Sequence, residues 1–259
     1  MSKTVLNNYQ TLTLRNGYFI SEKLQKKISE CKLVFIGCGL ASNVAIAAAR
    51  MGFCNFLLVD GDEVDLSNLN RQDFYIEEIG KNKAAVIGKR LGSINPDCHV
   101  EVLPRFVKVE DIEDIVKRGD IIINSADFNE VTYAVDELAA KHSKLSISPL
   151  NMGFGSVVTV FDHNSQRLEK LTNGVCKSDQ DYLLKLYKNL EDFKLPSYIR
   201  KHIPKALLFI VKKGFFPQNM IAAQTSSLLI LDIIVRHLKG EKLITAPRAV
   251  ALDVEELYD

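Results

Sequence analysis

Apolar residues in the first half of the chain follow two alternating patterns. One is a short continuous run: Lys32-Leu33-Val34-Phe35-Ile36, Phe56-Leu57-Leu58-Val59, Val100 to Leu103, Ile121-Ile122-Ile123, and Leu145 to Ser148. Such runs, apolar on both faces, predict strands buried in a parallel sheet. The other pattern has a helical period. It predicts helices over 21–30, with Leu24, Ile28 and Cys31 on one face, over 42–51, over 83–94, over 109–117 and over 130–141. In the third of these Ala84, Ile87, Leu91 and Ile94 align, and Pro96 stops the helix. Strand and helix in alternation predict an α/β, Rossmann-like fold. Its sheet is mostly parallel, has helices on both faces, and takes ligands at the carboxyl ends of its strands.

The pattern changes after Pro149. Gly155 to Asp162 is β-rich, and 165–213 is charged, weakly patterned and interrupted by Pro196 and Pro204. A long amphipathic helix is expected over 219–238 and a last strand over 249–253. The expected organisation is a helical arm (1–30), a Rossmann-like ligand-binding domain (31–163), and a smaller carboxyl-terminal lobe (164–259). That lobe serves as a lid or substrate-binding surface and completes the same fold.

Composition narrows the function classes. The 259 residues carry 33 Lys plus Arg against 32 Asp plus Glu, a formal charge of +1. Such a balance gives no electrostatic basis for a nucleic-acid partner or a polybasic membrane surface, so any anion site is local. No run of about 18 uncharged apolar residues occurs, so no membrane span is expected. The polar segment 1–30 does not read as a secretory signal. Five cysteines, an odd number with no Cys-x-x-Cys pair, suit free thiols in a reducing cytoplasm, and no zinc is expected.

Gly37-Cys38-Gly39-Leu40-Ala41-Ser42 joins the first strand to its helix. Glycines allow a tight turn and a close approach to phosphate, and the helix start offers N–H groups to an anion. The dipole alone is worth only about 0.3–1 kcal/mol at an exposed end, so holding a triphosphate requires cationic side chains as well. Asp60 closes the second strand about 20 residues on, where dinucleotide folds place an acid for the ribose hydroxyls. These features leave an NAD oxidoreductase and an ATP enzyme equally open.

The string from Asp60-Gly61-Asp62-Glu63-Val64 through Ser67-Asn68-Leu69-Asn70-Arg71-Gln72 distinguishes them, together with Gly80-Lys81-Asn82-Lys83-Ala84 and Ile94-Asn95-Pro96. From about Lys32 to Phe161 the chain resembles the ubiquitin-activating-enzyme-like superfamily, that is ThiF, MoeB, HesA and their relatives. The resemblance implies ATP and Mg2+ as cofactors and a small protein or peptide as substrate, with its terminal carboxylate attacking the α-phosphate. It implies that Arg71 and Lys83 contact the phosphates and that Asp127, in Asn124-Ser125-Ala126-Asp127, holds Mg2+. Asp60 matches the ribose acid and Asn68 a hydrogen-bonding position beside the nucleotide. Gly37, Gly39, Asp62 and Gln72 complete the expected nucleotide-binding set. No base is needed, because a carboxylate is already ionised at neutral pH.

The chain departs from the family pattern in places. The glycine turn is one residue short, Ala41 stands for a glycine, Phe128 for the asparagine after the metal acid, and Thr132 for an arginine. The family's paired zinc cysteines are missing. Relatives that form thioesters or persulfides carry a reactive cysteine in the region of Cys176, and the neighbouring Lys177 would lower its pKa; the alternative is an ordinary exposed thiol. Homodimers are common in the family, and Arg15 is the candidate for an arginine reaching a partner's phosphates. Two other readings stand beside the adenylyltransferase. One is a non-catalytic scaffold that binds a ubiquitin-like protein or a catalytic partner. The other, an NAD-dependent oxidoreductase, lacks a His or Tyr-x-x-x-Lys constellation and leaves Ser67 to Gln72 without a purpose.

Overall fold

The computed structural model describes residues 7–188 and 197–258. Residues 1–6 of the expected arm, and 189–196 with Pro196, lie outside these. Strands β1 (Lys32–Ile36), β2 (Asn55–Val59), β3 (His99–Leu103), β4 (Ile121–Asn124), β5 (Leu145–Met152), β6 (Gly155–Phe161) and β7 (Ala249–Asp253) form one sheet in the order β3-β2-β1-β4-β5-β6-β7. The first five are parallel; β6 and β7 run antiparallel to their neighbours. The chain reverses its direction of travel across the sheet between β1 and β4, which opens a crevice at their carboxyl ends.

Alternation along each strand separates two cores. Leu33, Phe35, Phe56, Leu58, Ile121 and Ile123 face one side, while Val34, Ile36, Leu57, Val59 and Ile122 face the other. The first side is covered by α2 (Glu22–Glu30), α3 (Ala41–Met51), α4 (Lys83–Ile94) and α10 (Met220–Lys239). The second is covered by α5 (Val109–Lys117) and α6 (Glu130–Lys141). Burying each such side chain is worth about 1.5–3 kcal/mol, which is why these strands read as continuous apolar runs. The 20 residues of α10 are apolar enough to cross a membrane, but half of that stretch is buried against the sheet and its helices, as in a core helix.

Two expectations need correction. The strand expected to end at Ser148 continues through Pro149 to Met152 and pairs along its length with β6. Its pairing with β4 stops at Ile147, so beyond that point Pro149 has an open side and its missing N–H costs no ladder bond. The weakly patterned stretch contains α7 (Leu168–Leu171), α8 (Asp179–Lys188) and α9 (Ser197–Lys213), and α9 runs through Pro204. These helices form a third core with Phe128, Tyr133, Met152 and Phe161, so their order comes from contacts distant in sequence. The arm, α1 (Asn8–Thr13) and the turn Leu14–Asn16, packs on the carboxyl end of α3: the Tyr9 hydroxyl donates to the Gly52 carbonyl at 3.0 Å and Asn16 Nδ2 to Met51 at 3.1 Å.

The third core is fastened by Asp136 on α6. One carboxylate oxygen accepts from the Leu168 N–H at 2.7 Å and the other from Arg167 Nη1 at 3.1 Å. Burial pushes this carboxyl from 3.8 up to about 6, against the pull of the Leu168 N–H and Arg167. Asp136→Ala, which takes the carboxylate from Arg167 and the acceptor from the Leu168 N–H, is expected to cost about 3 kcal/mol in urea unfolding. The folded form holds the Asp136 proton more tightly than the unfolded chain. This group therefore lowers stability as pH rises between about 4 and about 6. Asp136→Asn removes that part of the slope in a pH series of unfolding curves.

Candidate active site

Three turns build a cleft of about 310 Å3 at the switch point. The first links β1 to α3. Gly37 has φ +86°, and a Cβ there would lie 2.7 Å from the Ala126 backbone nitrogen, so only glycine lets this turn lie against the one after β4. Ser125 binds the two turns together, its Oγ donating to the Gly37 carbonyl at 2.9 Å. A Cβ on Gly39 would stand 3.0 Å from the Gln72 amide. Leu40, at the N-cap of α3, makes no side-chain cap, and Gly39 and Leu40 line the cleft there.

The second turn follows β2. The Asp60 carboxylate accepts from the Cys38 N–H at 2.6 Å and the Asp62 N–H at 2.8 Å. Burial raises its pKa, while these two N–H groups and Lys83 oppose the shift. Each oxygen keeps a further lone pair for a ligand hydroxyl. Asn82 caps α4 by accepting from the Ala85 N–H at 3.0 Å, and its amide donates to the carbonyls of Asp60 and Asp62. That cap brings Lys83, the first residue of α4 and buried, to 3.0 Å from Asp62 Oδ2. A cation at a helix start opposes the dipole, and the pairing with Asp62 offsets this.

The Ser67–Gln72 string occupies a short turn, Leu66–Asn68, and the residues after it. Asp65 Oδ1 accepts from the Ser67 N–H at 2.7 Å, and Asn68 Oδ1 from the Asp65 N–H at 3.0 Å. The Arg71 guanidinium is half-buried and donates to Gln218 Oε1, the Ser67 carbonyl and Asn70 Oδ1, each at 2.7 Å. All three partners are neutral. Burial lowers its pKa, and no carboxylate among the described residues offsets the loss of water. Gln72, also buried, has an Oε1 with no partner among the described residues.

The third turn follows β4 and carries Asp127. Its carboxyl is raised by burial first, then by the neighbouring Asp179 and Asp62, against Lys83. Gly37, Gly39, Asp60, Asp62, Asn68, Arg71, Gln72, Lys83 and Asp127 thus line one cleft. The departures from the family pattern have visible consequences. Thr132 is buried, and its hydroxyl donates to the Asp127 carbonyl at 2.9 Å, so it braces the acid turn where an arginine would reach outward. Phe128 stacks on Tyr182 with ring centroids 3.6 Å apart, and Ala41 is buried in α3.

Two sequence candidates lie elsewhere. Arg15 is exposed on the arm, at the far end of α3, about 16 Å of helix from the glycine turn, so within one chain it does not join the cleft. Cys176 is a correction: the thiol is fully buried in the third core, its N–H donates to Tyr133 Oη at 3.1 Å, and burial raises rather than lowers its pKa. The cation that acts on it is Lys185, from α8, rather than the neighbouring Lys177. Sequence reasoning missed Asp179, Gln218 and Phe106. The first two enter from segments with no local motif. Phe106 is an exposed aromatic placed just beyond the carboxyl end of β3, a signal visible in the sequence.

A Rossmann-like sheet with a glycine turn, a terminal acid and inward cations at the switch point defines the class of α/β protein whose ligand site lies at the carboxyl ends of its strands. A family model narrows this: the ThiF family matches residues 13–200, and the chain belongs to that family. The Bacillus subtilis sulfur carrier protein ThiS adenylyltransferase is 37% identical over 121 residues, 45% of this chain and 36% of the relative. The chain spans less than half the length of the first curated adenylyltransferases it matches. The Haemophilus influenzae tRNA threonylcarbamoyladenosine dehydratase is 26% identical but matches along 86% of this chain and 84% of its own length. A crystal structure of Escherichia coli MccB with MccA-N7isoASN superposes with a TM-score of 0.71 over 96% of this chain and 70% of that one. At 18% identity this likeness shows the fold.

Gly37→Ala is expected to destabilise the protein by about 1–3 kcal/mol, through the positive φ and the clash with Ala126. The check is a denaturant midpoint shift at unchanged slope.

Proposed function

We propose that the chain is an ATP-dependent adenylyltransferase that activates the terminal carboxylate of a small protein or peptide. The carrying observation is Arg71: a half-buried guanidinium with only neutral partners, in the same cleft as Lys83 and the Gly37–Gly39 turn. A desolvated cation of this kind is stabilised by an anionic ligand. The physical task is to bring a carboxylate to a polyanion while charge builds on the leaving pyrophosphate, and fixed cations meet it. Arg71 forks onto phosphate oxygens, and Lys83 supplies a compact charge. Asp60 accepts from the ribose hydroxyls, Gly37 and Gly39 admit the phosphates close to backbone, and Asn68 and Gln72 hydrogen-bond the nucleotide.

The acids fit a divalent cation. Asp179 and Asp62 raise the cost of ionising Asp127, which a bound cation relieves. In this reading Asp127 is the Mg2+ ligand, and Mg2+ supplies charge neutralisation on phosphate oxygens. Residues 31–163 bind the nucleotide, and 164–259 form a lid or substrate-binding lobe beside it. The protein works in the cytoplasm as a homodimer, and Arg15 acts from a second copy. A second reading is favoured by the dehydratase matched along most of its length: the carboxylate is then carried by a modified tRNA nucleoside. The charge of +1 favours the peptide.

ATP–pyrophosphate exchange tests the proposal. Exchange is expected with peptide or small-protein carboxyl termini and not with tRNA. Arg71→Ala is expected to lower it about 10³-fold or more, and Asp127→Ala to abolish it. A purified protein that binds Mg-ATP yet shows no exchange with any carboxylate overturns the catalytic reading in favour of a scaffold.

A further inference from the structure

A smaller cavity of about 80 Å3 opens beside the main cleft. The two share Leu40, Ser125, Ala126, Asp127 and Gln218. Beyond these shared residues its wall is largely apolar, with Phe128, Leu150, Tyr182 and Phe216. Asn151, on β5, stands in that wall at 3% exposure, and its Nδ2 has no hydrogen-bond partner among the described residues. The other end of the amide is anchored. Ser226 Oγ on α10 donates to Asn151 Oδ1 at 2.5 Å and lies 2.6 Å from Ser156 Oγ on β6. With the Ser226 proton on Oδ1, the Ser156 proton closes the relay, and the amide is held with its N–H2 outside it.

A buried N–H left unmade costs about 1–3 kcal/mol, and an apolar residue of the same size at this site would avoid that cost. An asparagine there, braced by two buried serines, points to a ligand that accepts the bond. We propose that Asn151 is a substrate-binding residue: its Nδ2 donates to a backbone carbonyl of the peptide's carboxyl-terminal segment, seated in the side cavity with the terminal carboxylate directed into the main cleft. This rests on the adenylyltransferase reading above. The cavity has room for two or three water-sized groups, so the terminal residue is small. Asp127 and Asp179 both line it, so that residue is not acidic; a second carboxylate would meet like charge. In the reaction one terminal carboxylate oxygen forms a bond to the α-phosphorus, and the phosphorus–oxygen bond to pyrophosphate breaks with its electron pair leaving on pyrophosphate. No proton moves, and Asn151 holds the tail in line.

The test uses nitrogen-15-labelled protein titrated first with Mg-AMPCPP and then with acetyl-glycyl-glycine. The side-chain N–H2 pair of Asn151, assigned by its loss in Asn151→Leu, is expected to shift with the peptide. The apparent Kd for the peptide is expected to rise about tenfold in Asn151→Leu and at least as much in Asn151→Asp, with the Kd for AMPCPP unchanged. Ser226→Ala, which frees the amide to turn, is expected to weaken the peptide several-fold. If the Gly37 and Gly39 amides respond to Mg-AMPCPP but the Asn151 pair ignores the peptide, the Asn151 proposal alone is overturned. It is equally overturned if Asn151→Asp binds the peptide as well as the wild type does. If the glycine amides do not respond, the nucleotide reading falls.

Discussion

The carboxyl edge of the sheet depends on two turns touching where a side chain does not fit. Gly37 and Ala126 follow neighbouring strands that pair in parallel, and the missing Cβ lets their backbones meet. Ser125 closes the seam from the other side. With the turns in contact, the acid that ends β2, the string after it and the acid after β4 all face one volume. A wider spacing would separate the cations from the Asp127 carboxylate, and the cleft would become two unrelated grooves.

Charge in that volume is divided. Arg71 and Lys83 enter from the segment after β2, while Asp127 and Asp179 gather on the β4 side and Asp62 bridges to Lys83. Desolvation acts on both groups, lowering the Arg71 pKa and raising those of Asp60 and Asp127. A protein near neutrality overall therefore concentrates strong local fields in one place, and a polyanion accompanied by a divalent cation satisfies both signs at once. The smaller cavity extends the same logic to an uncharged ligand group, with a fixed dipole in place of an ion.

The sequence made the central sheet legible, because β1, β2 and β4 are buried on both faces and read as unbroken apolar runs. The string around Arg71 marked the site for a different reason, its resemblance to the pattern of a known family. What escaped lies where structure depends on distant contacts. The helices from Leu168 onward order around Phe128 and Tyr133, which are far from them in the chain, so their own periodicity is faint. For the same reason Cys176, flanked by Lys177, reads as exposed although its fate is set by Tyr133 and Tyr182. Gln218 and Asn151 carry no motif; one is recognised by the guanidinium it meets and the other by the bond it lacks.

Helix α10 runs the depth of the molecule and is fastened at both ends. Asn219 ties its start to Gly153 in the β5–β6 hairpin at 2.8 Å, and Lys27 from α2 meets its last turn at Leu238 with 2.6 Å. Between them Gln224 grips Asn43 on α3 and Ser226 grips Asn151. The helix is therefore a tie-rod: its hydrogen bonds to Asn43, whose amide holds the Arg71 carbonyl, and to Asn151 hang from one rod, so the walls of the two cavities keep a common register.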